Sequence, residues 1–158
     1  MLPLCEKCFC NVNSCECPWW WEVKNEIMAD YSNGFDELIK DDEGKTLTNT
    51  AGDRGGRSFC GISEPNWPNL SLWEYLTQMQ TQVGETCPEA MPLVKQFYKT
   101  NFWDKIGGDY INDQAYANKL FSDAVNFGLK PSIELAEEAF NLKPTGVMGT
   151  TLMNLINA

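Results

Sequence analysis

Two acidic, glycine-containing stretches carry the residues best suited to chemistry. The first reads Glu43-Gly44-Lys45, and the second runs from Asp53 through two glycines to Ser58. The pattern predicts that Glu43 lies half-buried at the end of a helix, where burial raises the pKa of a carboxyl group and keeps it protonated. Asp53 on an exposed loop would stay ionised, and Ser58 could hold a water molecule. Together these groups supply the proton donor and the carboxylate that cleavage of a glycosidic bond requires.

Each of these residues also has an ordinary structural interpretation. An acid at a helix end is usually a solvated charge, an aspartate before glycines is common in turns, and a strand serine often bonds the backbone. Lys45 beside Glu43 would favour the ionised carboxylate and lower its pKa, which works against a general acid unless the lysine points away. The spacing alone therefore leaves the catalytic role of the two carboxylates open.

The composition excludes whole classes of enzyme. The chain has 158 residues and no histidine, so hydrolases with Ser-His-Asp or Cys-His machinery and histidine-ligated zinc hydrolases are excluded. Its 22 acidic and 12 basic residues give a formal net charge of −10. This balance disfavours a nucleic-acid partner, because binding a polyanion takes a stripe of lysines and arginines. We therefore expect carboxylates as acid and base, and no cofactor for catalysis.

The seven cysteines are concentrated near the N-terminus. The thiols of Cys5, Cys8, Cys15 and Cys17 are close enough in sequence to surround one ion, and an all-sulfur tetrahedral site suits zinc. Disulfide bonds and thiols without a ligand are the alternatives, although synthesis in a cytoplasm disfavours disulfides. We predict a structural zinc on these four cysteines, in an N-terminal extension that covers residues 1–18.

The length and hydropathy predict a single small domain that does not enter a membrane. No apolar run reaches the about 20 residues that a membrane-spanning helix needs. The first residues lack the basic and apolar regions of a secretory signal, so we expect synthesis in a cytoplasm and release by another component. The length suits one compact domain over residues 19–158, which we expect to be monomeric.

The elements that position the carboxylates follow from the hydrophobic periodicity. Glycines and threonines in residues 44–63 predict a loop and a short β-hairpin near Glu43. Ser32-Asn33-Gly34 is expected to divide the helical segment before this hairpin in two. Gly128 stands where a glycine commonly ends a helix. A cap at Asn69-Leu70-Ser71 predicts a helix to about Gln82. Helical periodicity returns in residues 89–103, 112–127, 131–141 and 147–157. The fold is therefore expected to be mainly α.

Several motifs together resemble the glycoside hydrolase family 108 muramidases, which are lysozyme-like proteins of phages and bacteria. The Glu-Gly-Gly and Asp-x-Gly-Gly-x-Thr motifs of that family correspond to the two stretches described above. Here Lys45 replaces the second glycine of the first motif, and Ser58 replaces the threonine of the second. The resemblance covers residues 35–158 and continues, in family order, through Gly61-Ile62, Phe97–Trp103, Phe121–Gly128 and Gly146–Leu152.

The resemblance implies a lysozyme-like α+β fold and a peptidoglycan substrate. The bond cleaved would be the β-1,4 bond between N-acetylmuramic acid and N-acetylglucosamine. Glu43 would be the catalytic acid, and the Glu-Asp-Thr arrangement of phage lysozymes would add Asp53 and Ser58. The C-terminal helical segment 131–158 resembles a peptidoglycan-binding signature.

Four further side chains are candidates for substrate binding. One of Tyr98 and Trp103 would stack on a sugar ring while the other packs in the core. Asn126 would bond an acetamido group, with helix capping as the alternative. Arg57 would meet the lactyl or peptide carboxylates of peptidoglycan, with a surface salt bridge as the alternative.

The function predicted from these motifs is a phage-type endolysin that acts on the cell wall. The protein would be made in the host cytoplasm and would reach the wall and periplasm through a holin pore. A lytic transglycosylase, which needs only one acid, is one alternative. A non-catalytic wall-binding or secretion-associated module is another, and the replacement at Lys45 favours it.

Overall fold

The computed structural model describes residues 28–40, 45–50 and 56–158. Within these ranges it contains six α-helices and one antiparallel sheet of three strands. The mainly helical α+β architecture expected from the sequence, consistent with a lysozyme-like fold, is confirmed. The four N-terminal cysteines, Glu43 and Asp53 lie outside the described residues.

The helices alternate with short turns along the chain. The α-helices are α1 (Tyr31–Lys40), α2 (Ser71–Gln78), α3 (Met91–Tyr98), α4 (Gln114–Phe127), α5 (Leu129–Ala139) and α6 (Thr150–Ile156). A π-helical turn (Lys99–Trp103) follows α3, and 3₁₀ turns lie at Pro88–Ala90 and Gly108–Tyr110. The strands are β1 (Thr48–Thr50), β2 (Gly56–Phe59) and β3 (Ile62–Ser63). No helix in the described part of the chain is long and apolar enough to cross a bilayer.

The expected break at Ser32-Asn33-Gly34 is wrong, because α1 runs through these residues without interruption. They form its first turn, where the backbone N–H of Ser32 donates to the carboxylate of Asp30 at 3.2 Å. A Cβ atom on Gly34 would lie 2.8 Å from Cζ3 of Trp103. This glycine therefore allows α1 to approach the core closely, and packing outweighs its low helix propensity.

Helix α2 ends at Gln78, four residues before the expected end. Gln80 takes a left-handed conformation with φ 54°. The N–H of Thr81 then donates to the carbonyl of Leu76 at 3.1 Å, and that of Gln80 to the carbonyl of Thr77 at 3.0 Å. These two hydrogen bonds form a Schellman motif, which satisfies the last carbonyls and turns the chain out of the helix.

The core is built around the indole of Trp103, which is wholly buried. Its ring centroid lies 5.4 Å from that of Phe121 on α4 and 5.5 Å from that of Tyr31 on α1. Its Nε1 donates to the carboxylate of Asp109 at 2.9 Å. A Cβ atom on Gly108 would overlap the indole, so the backbone passes directly over the ring.

Candidate active site

The predicted β-hairpin is confirmed, and a third strand extends it. In the antiparallel register Thr48 pairs with Ser58 on one side, and Ser58 pairs with Ser63 on the other. Because side chains alternate across a strand, these three residues share one face of the sheet, while Phe59 points into the core. Ser58 is partly exposed. A hydroxyl on this outer face can contact water or a substrate without unburying the core.

The turn between β2 and β3 consists of Cys60 and Gly61. Both have positive φ, 50° and 78° respectively, as a two-residue hairpin of the primed type requires. Cys60 is buried despite its place in a turn. Cys60 therefore anchors the turn in the packed interior, while Gly61 is exposed.

Arg57 joins the sheet to α2 rather than facing outward. Its Nε and Nη2 donate to the two carboxylate oxygens of Glu64 at 2.8 and 2.9 Å, and its Nη1 donates to the hydroxyl of Thr77 at 2.8 Å. The guanidinium carbon also lies 5.6 Å from the ring centroid of Trp73. Hydrogen bonding from Arg57 holds the pKa of the Glu64 carboxyl below its usual range. The structure thus places Arg57 in a partly exposed salt bridge, the alternative to the predicted contact with substrate carboxylates.

Tyr98 and Trp103 both belong to the core, which corrects the prediction that one of them stacks on a sugar. Tyr98 is 4% exposed and Trp103 0%, so neither ring has a free face for a sugar. The hydroxyl of Tyr98 donates to the carbonyl of Cys60 at 2.6 Å. The sequence gives no signal for this contact, because its acceptor is a backbone carbonyl remote along the chain.

The described residues on either side of segment 41–44 lie beside a mostly apolar pocket. The chain leaves α1 at Lys40 and is described again from Lys45, after which Thr46 forms a β-bridge with Thr86. Beside this point lies a pocket of about 310 Å³, lined by Ile39, Lys45, Phe59, Thr86, Cys87, Pro88 and Met91. Lys45 is exposed and supplies the one charged side chain in this lining. Segment 51–55, which contains Asp53, connects the paired strands β1 and β2.

Residues 36–128 match the family model described as Glycosyl hydrolase 108. The matched region is more than half of the chain and contains the whole sheet together with α2, α3 and α4. The chain belongs to glycosyl hydrolase family 108. This confirms the family resemblance, supports peptidoglycan as the polymer on which the hydrolase acts, and places Glu43, Asp53 and Ser58 within the matched region. No curated protein matches the chain.

Asn126 lies on the surface of this family 108 protein, in the last turn of α4. Its side-chain amide donates to the hydroxyl of Ser122 at 3.2 Å within the same helix. The helix ends at Gly128, with φ 99°, as the sequence predicted. Asn126 is exposed, and a contact with an acetamido group stays a prediction.

The C-terminal segment beyond the matched region is organised by a buried carboxylate. Glu137 on α5 is 4% exposed and accepts hydrogen bonds from the backbone N–H groups of Thr145 and Gly146, each at 2.8 Å, and from the hydroxyl of Thr145 at 2.9 Å. Burial raises the pKa of Glu137, but these three hydrogen bonds outweigh it and leave the pKa below its usual range. The loop before α6 is thereby fixed, with Val147 exposed at its tip.

Proposed function

We propose that this family 108 hydrolase is an N-acetylmuramidase that cleaves the β-1,4 bond between N-acetylmuramic acid and N-acetylglucosamine in peptidoglycan. The observation that carries the proposal is the family match over residues 36–128, which includes Glu43, Asp53 and Ser58. The outer face of the sheet supports it, since Ser58 stands there on the middle strand, opposite the buried side.

In the proposed reaction Glu43 donates its proton to the glycosidic oxygen as the bond to the anomeric carbon breaks. Asp53 accepts a proton from a water molecule held by Ser58, and the resulting hydroxide bonds to the anomeric carbon. The configuration of that carbon is then inverted. This mechanism requires the two carboxyl groups to be about 6.5–9.5 Å apart, whereas about 5 Å would favour a covalent intermediate.

A general acid must stay protonated at the working pH, and its surroundings decide whether it does. Apolar walls disfavour an ionised carboxyl and raise its pKa, which suits a general acid. The ammonium of Lys45 has the opposite influence, but it is exposed, and solvent weakens its effect. We therefore expect a Lys45→Ala variant to extend activity to higher pH without abolishing it.

The deciding experiment is digestion of purified peptidoglycan sacculi, with the masses of the released fragments determined. A muramidase adds one water per bond cleaved, so its products end in a reducing sugar. Glu43→Gln is expected to lose activity by at least about a hundredfold, since general acid catalysis typically contributes that much. Glu37→Gln, which removes an exposed carboxylate from α1, is the matched control and should retain wild-type activity.

The other outcomes contradict the proposal in different ways. Products with a 1,6-anhydro end and no added water would identify a lytic transglycosylase. Binding to sacculi without release of any reducing sugar would identify a wall-binding module. Full activity in Glu43→Gln would reject that residue as the acid.

We further propose that the enzyme acts as an endolysin, made in the host cytoplasm and passed to the wall and periplasm by a holin, with a monomer as the active form. Expression in bacteria tests this role. Lysis should require co-expression of a pore-forming protein, and the Glu43→Gln variant should not lyse cells under the same conditions.

For the N-terminal extension we propose a structural zinc on Cys5, Cys8, Cys15 and Cys17. The proposal is drawn from spacing and ligand chemistry, since these cysteines lie outside the described residues. Elemental analysis of protein purified without added metal should give one zinc per chain. Replacement of Cys5 and Cys8 by serine should abolish it, and a metal-free wild type would reject the site.

A further inference from the structure

One buried tyrosine connects the sheet to α3. Tyr98, the last residue of α3, donates from its hydroxyl to the carbonyl of Cys60 at 2.6 Å. At the first residue of the same helix, the sulfur of Met91 lies 3.8 Å from the thiol of Cys60. The two helix residues are about two turns apart and share one face. Helix α3 therefore holds the β2–β3 turn at its backbone and at its side chain.

The turn and the tyrosine fit together without spare room. Cys60 has φ 50°, an uncommon conformation for a residue other than glycine. Gly61 has φ 78°, and a Cβ atom there would lie 2.8 Å from the hydroxyl oxygen of Tyr98. A shift of the hydroxyl relative to the turn would therefore break the hydrogen bond or create a steric overlap.

We propose that Tyr98 is a positioning residue for the hydrolysis: its hydroxyl fixes the β2–β3 turn and thereby orients Ser58, which lies two positions before Cys60. The inference rests on the proposed function. Tyr98 is 4% exposed, so it acts through the sheet and does not contact the substrate. Cleavage depends on near-ångström placement of its groups, so the expected cost of a loosened turn is a lower kcat.

Tyr31 provides a matched control. It is also a buried phenol, and its hydroxyl donates to the backbone carbonyl of Lys95 at 2.5 Å. That bond joins α1 to α3 and does not involve the sheet. Tyr98→Phe and Tyr31→Phe therefore both remove a hydroxyl group from a buried site. Only Tyr98→Phe removes a hydrogen bond to the β2–β3 turn.

The first test measures kcat and KM of both variants on soluble peptidoglycan chains. Tyr98→Phe is expected to lower kcat by about tenfold to a hundredfold while KM stays within about twofold. Tyr31→Phe should keep kcat within about twofold of wild type, whatever its melting temperature. An unchanged kcat in Tyr98→Phe, or an equal loss in both variants, would overturn the inference.

A double-mutant cycle with Gly61→Ala tests the contact itself. In the wild type the added methyl group meets the hydroxyl of Tyr98, whereas in Tyr98→Phe that oxygen is absent. The loss of kcat in the double variant should therefore be smaller than the product of the two single losses. Fully multiplicative losses would show that the two positions act separately, against the inference.

Hydrogen exchange separates this inference from the proposed function. Absence of sacculus digestion by the wild-type protein would reject the proposed muramidase function. The amides of residues 57–64, among them that of Glu64, which donates to the carbonyl of Arg57 at 2.8 Å, report on the sheet directly. Tyr98→Phe should exchange these amides faster than Tyr31→Phe does. Equal protection in the two variants would reject the positioning role, whether or not the wild type is active.

Discussion

At the scale of the residue, the same side-chain type has different uses depending on what the fold places beside it. Arg57 looks like a ligand for substrate carboxylates when the chain is read alone, but Glu64 and Thr77 already occupy its donors. Glu64 and Thr77 follow Arg57 in the sequence by seven and twenty residues respectively. The guanidinium consequently holds β2 against α2.

We expect Glu64→Gln to lower the free energy of unfolding by about 1 kcal/mol at neutral pH, since the ion pair is partly exposed. The folded-state pKa of Glu64 lies below its usual value of 4.5, so its stabilisation is present above that pH and is lost as the pH falls through the folded pKa. Urea titrations at pH 7 and near pH 3 measure the free energy of unfolding of the variant and of the wild type. The difference between variant and wild type should shrink at the lower pH, whereas a constant difference would contradict the ion-pair account.

At Gly108 the neighbouring Trp103 ring leaves no room for a side chain, so only glycine fits. Gly108→Ala places a methyl group inside the volume of the Trp103 indole, and we expect a loss of about 3 kcal/mol in the free energy of unfolding. At Gly149 a Cβ atom would meet no other atom within 4 Å, so Gly149→Ala should cost less than about 1 kcal/mol. Equal losses in the two variants, measured by chemical denaturation, would contradict the close contact.

At the scale of the element, helix ends are decided by backbone conformations that residue type indicates only in part. Helix α4 ends at Gly128, and the glycine itself predicts this end. Helix α5 ends at Ala139, and Asn141, two residues later, has φ 60°. The N–H of Leu142 then donates to the carbonyl of Glu137 at 2.9 Å. This repeats the Schellman motif after α2, and asparagine tolerates the left-handed region better than most residues.

Gln80 is the costly case among these helix ends, because it takes φ 54° and glutamine, unlike asparagine or glycine, is not favoured in the left-handed region. Gln80→Gly should raise the free energy of unfolding by about 0.5–1 kcal/mol by removing that strain. Gln78→Gly, inside α2, should lower it by a similar amount. Thermal unfolding followed by circular dichroism measures both, and a loss of stability in both variants would contradict the strained cap.

These ends also show what could be foreseen. The glycine-rich hairpin, the helical class and the end of α4 follow from local patterns. The end of α2 does not, since Gln80 carries no cap signal, and the continuity of α1 depends on Gly34 meeting Trp103 from a distant part of the chain. At the site, Ser58 was placed on the hairpin by its spacing. The hydrogen bond from Tyr98 to Cys60 could not be predicted, because its acceptor is a backbone carbonyl far away along the chain.

At the scale of the whole molecule, helix α4 joins two regions. It packs on α1, whose second half lies in the family-matched part of the chain, and on α5 beyond that part. The segment after α5 is secured by the Glu137 carboxylate and also by Leu152 and Met153 of α6, which are buried in the core. With a net charge of −10, the protein is repelled at long range by an anionic surface, so the proposed binding to peptidoglycan depends on short-range contacts.

Acid should loosen the loop before α6, because the Glu137 carboxylate holds Thr145 and Gly146 there. The pKa of Glu137 in the folded state lies below its usual value of 4.5, so its contribution is present above that value and disappears as the pH falls through the folded pKa. Glu137→Gln should lower the melting temperature at pH 7, and the difference from wild type should narrow below pH 4. Glu138→Gln, an exposed neighbour on α5, should change the melting temperature little at either pH. Similar shifts in both variants would contradict the role of the buried carboxylate.

The close packing of Gly34 and Gly108 against the Trp103 indole restricts how this sequence can diverge. Two backbone segments, at Gly34 and Gly108, border the same indole, and neither position has room for a Cβ atom while the ring is there. A smaller side chain at position 103 would open space at both. Among relatives, these three positions should therefore change together, with alanine or serine at 34 and 108 appearing only where 103 has lost its tryptophan.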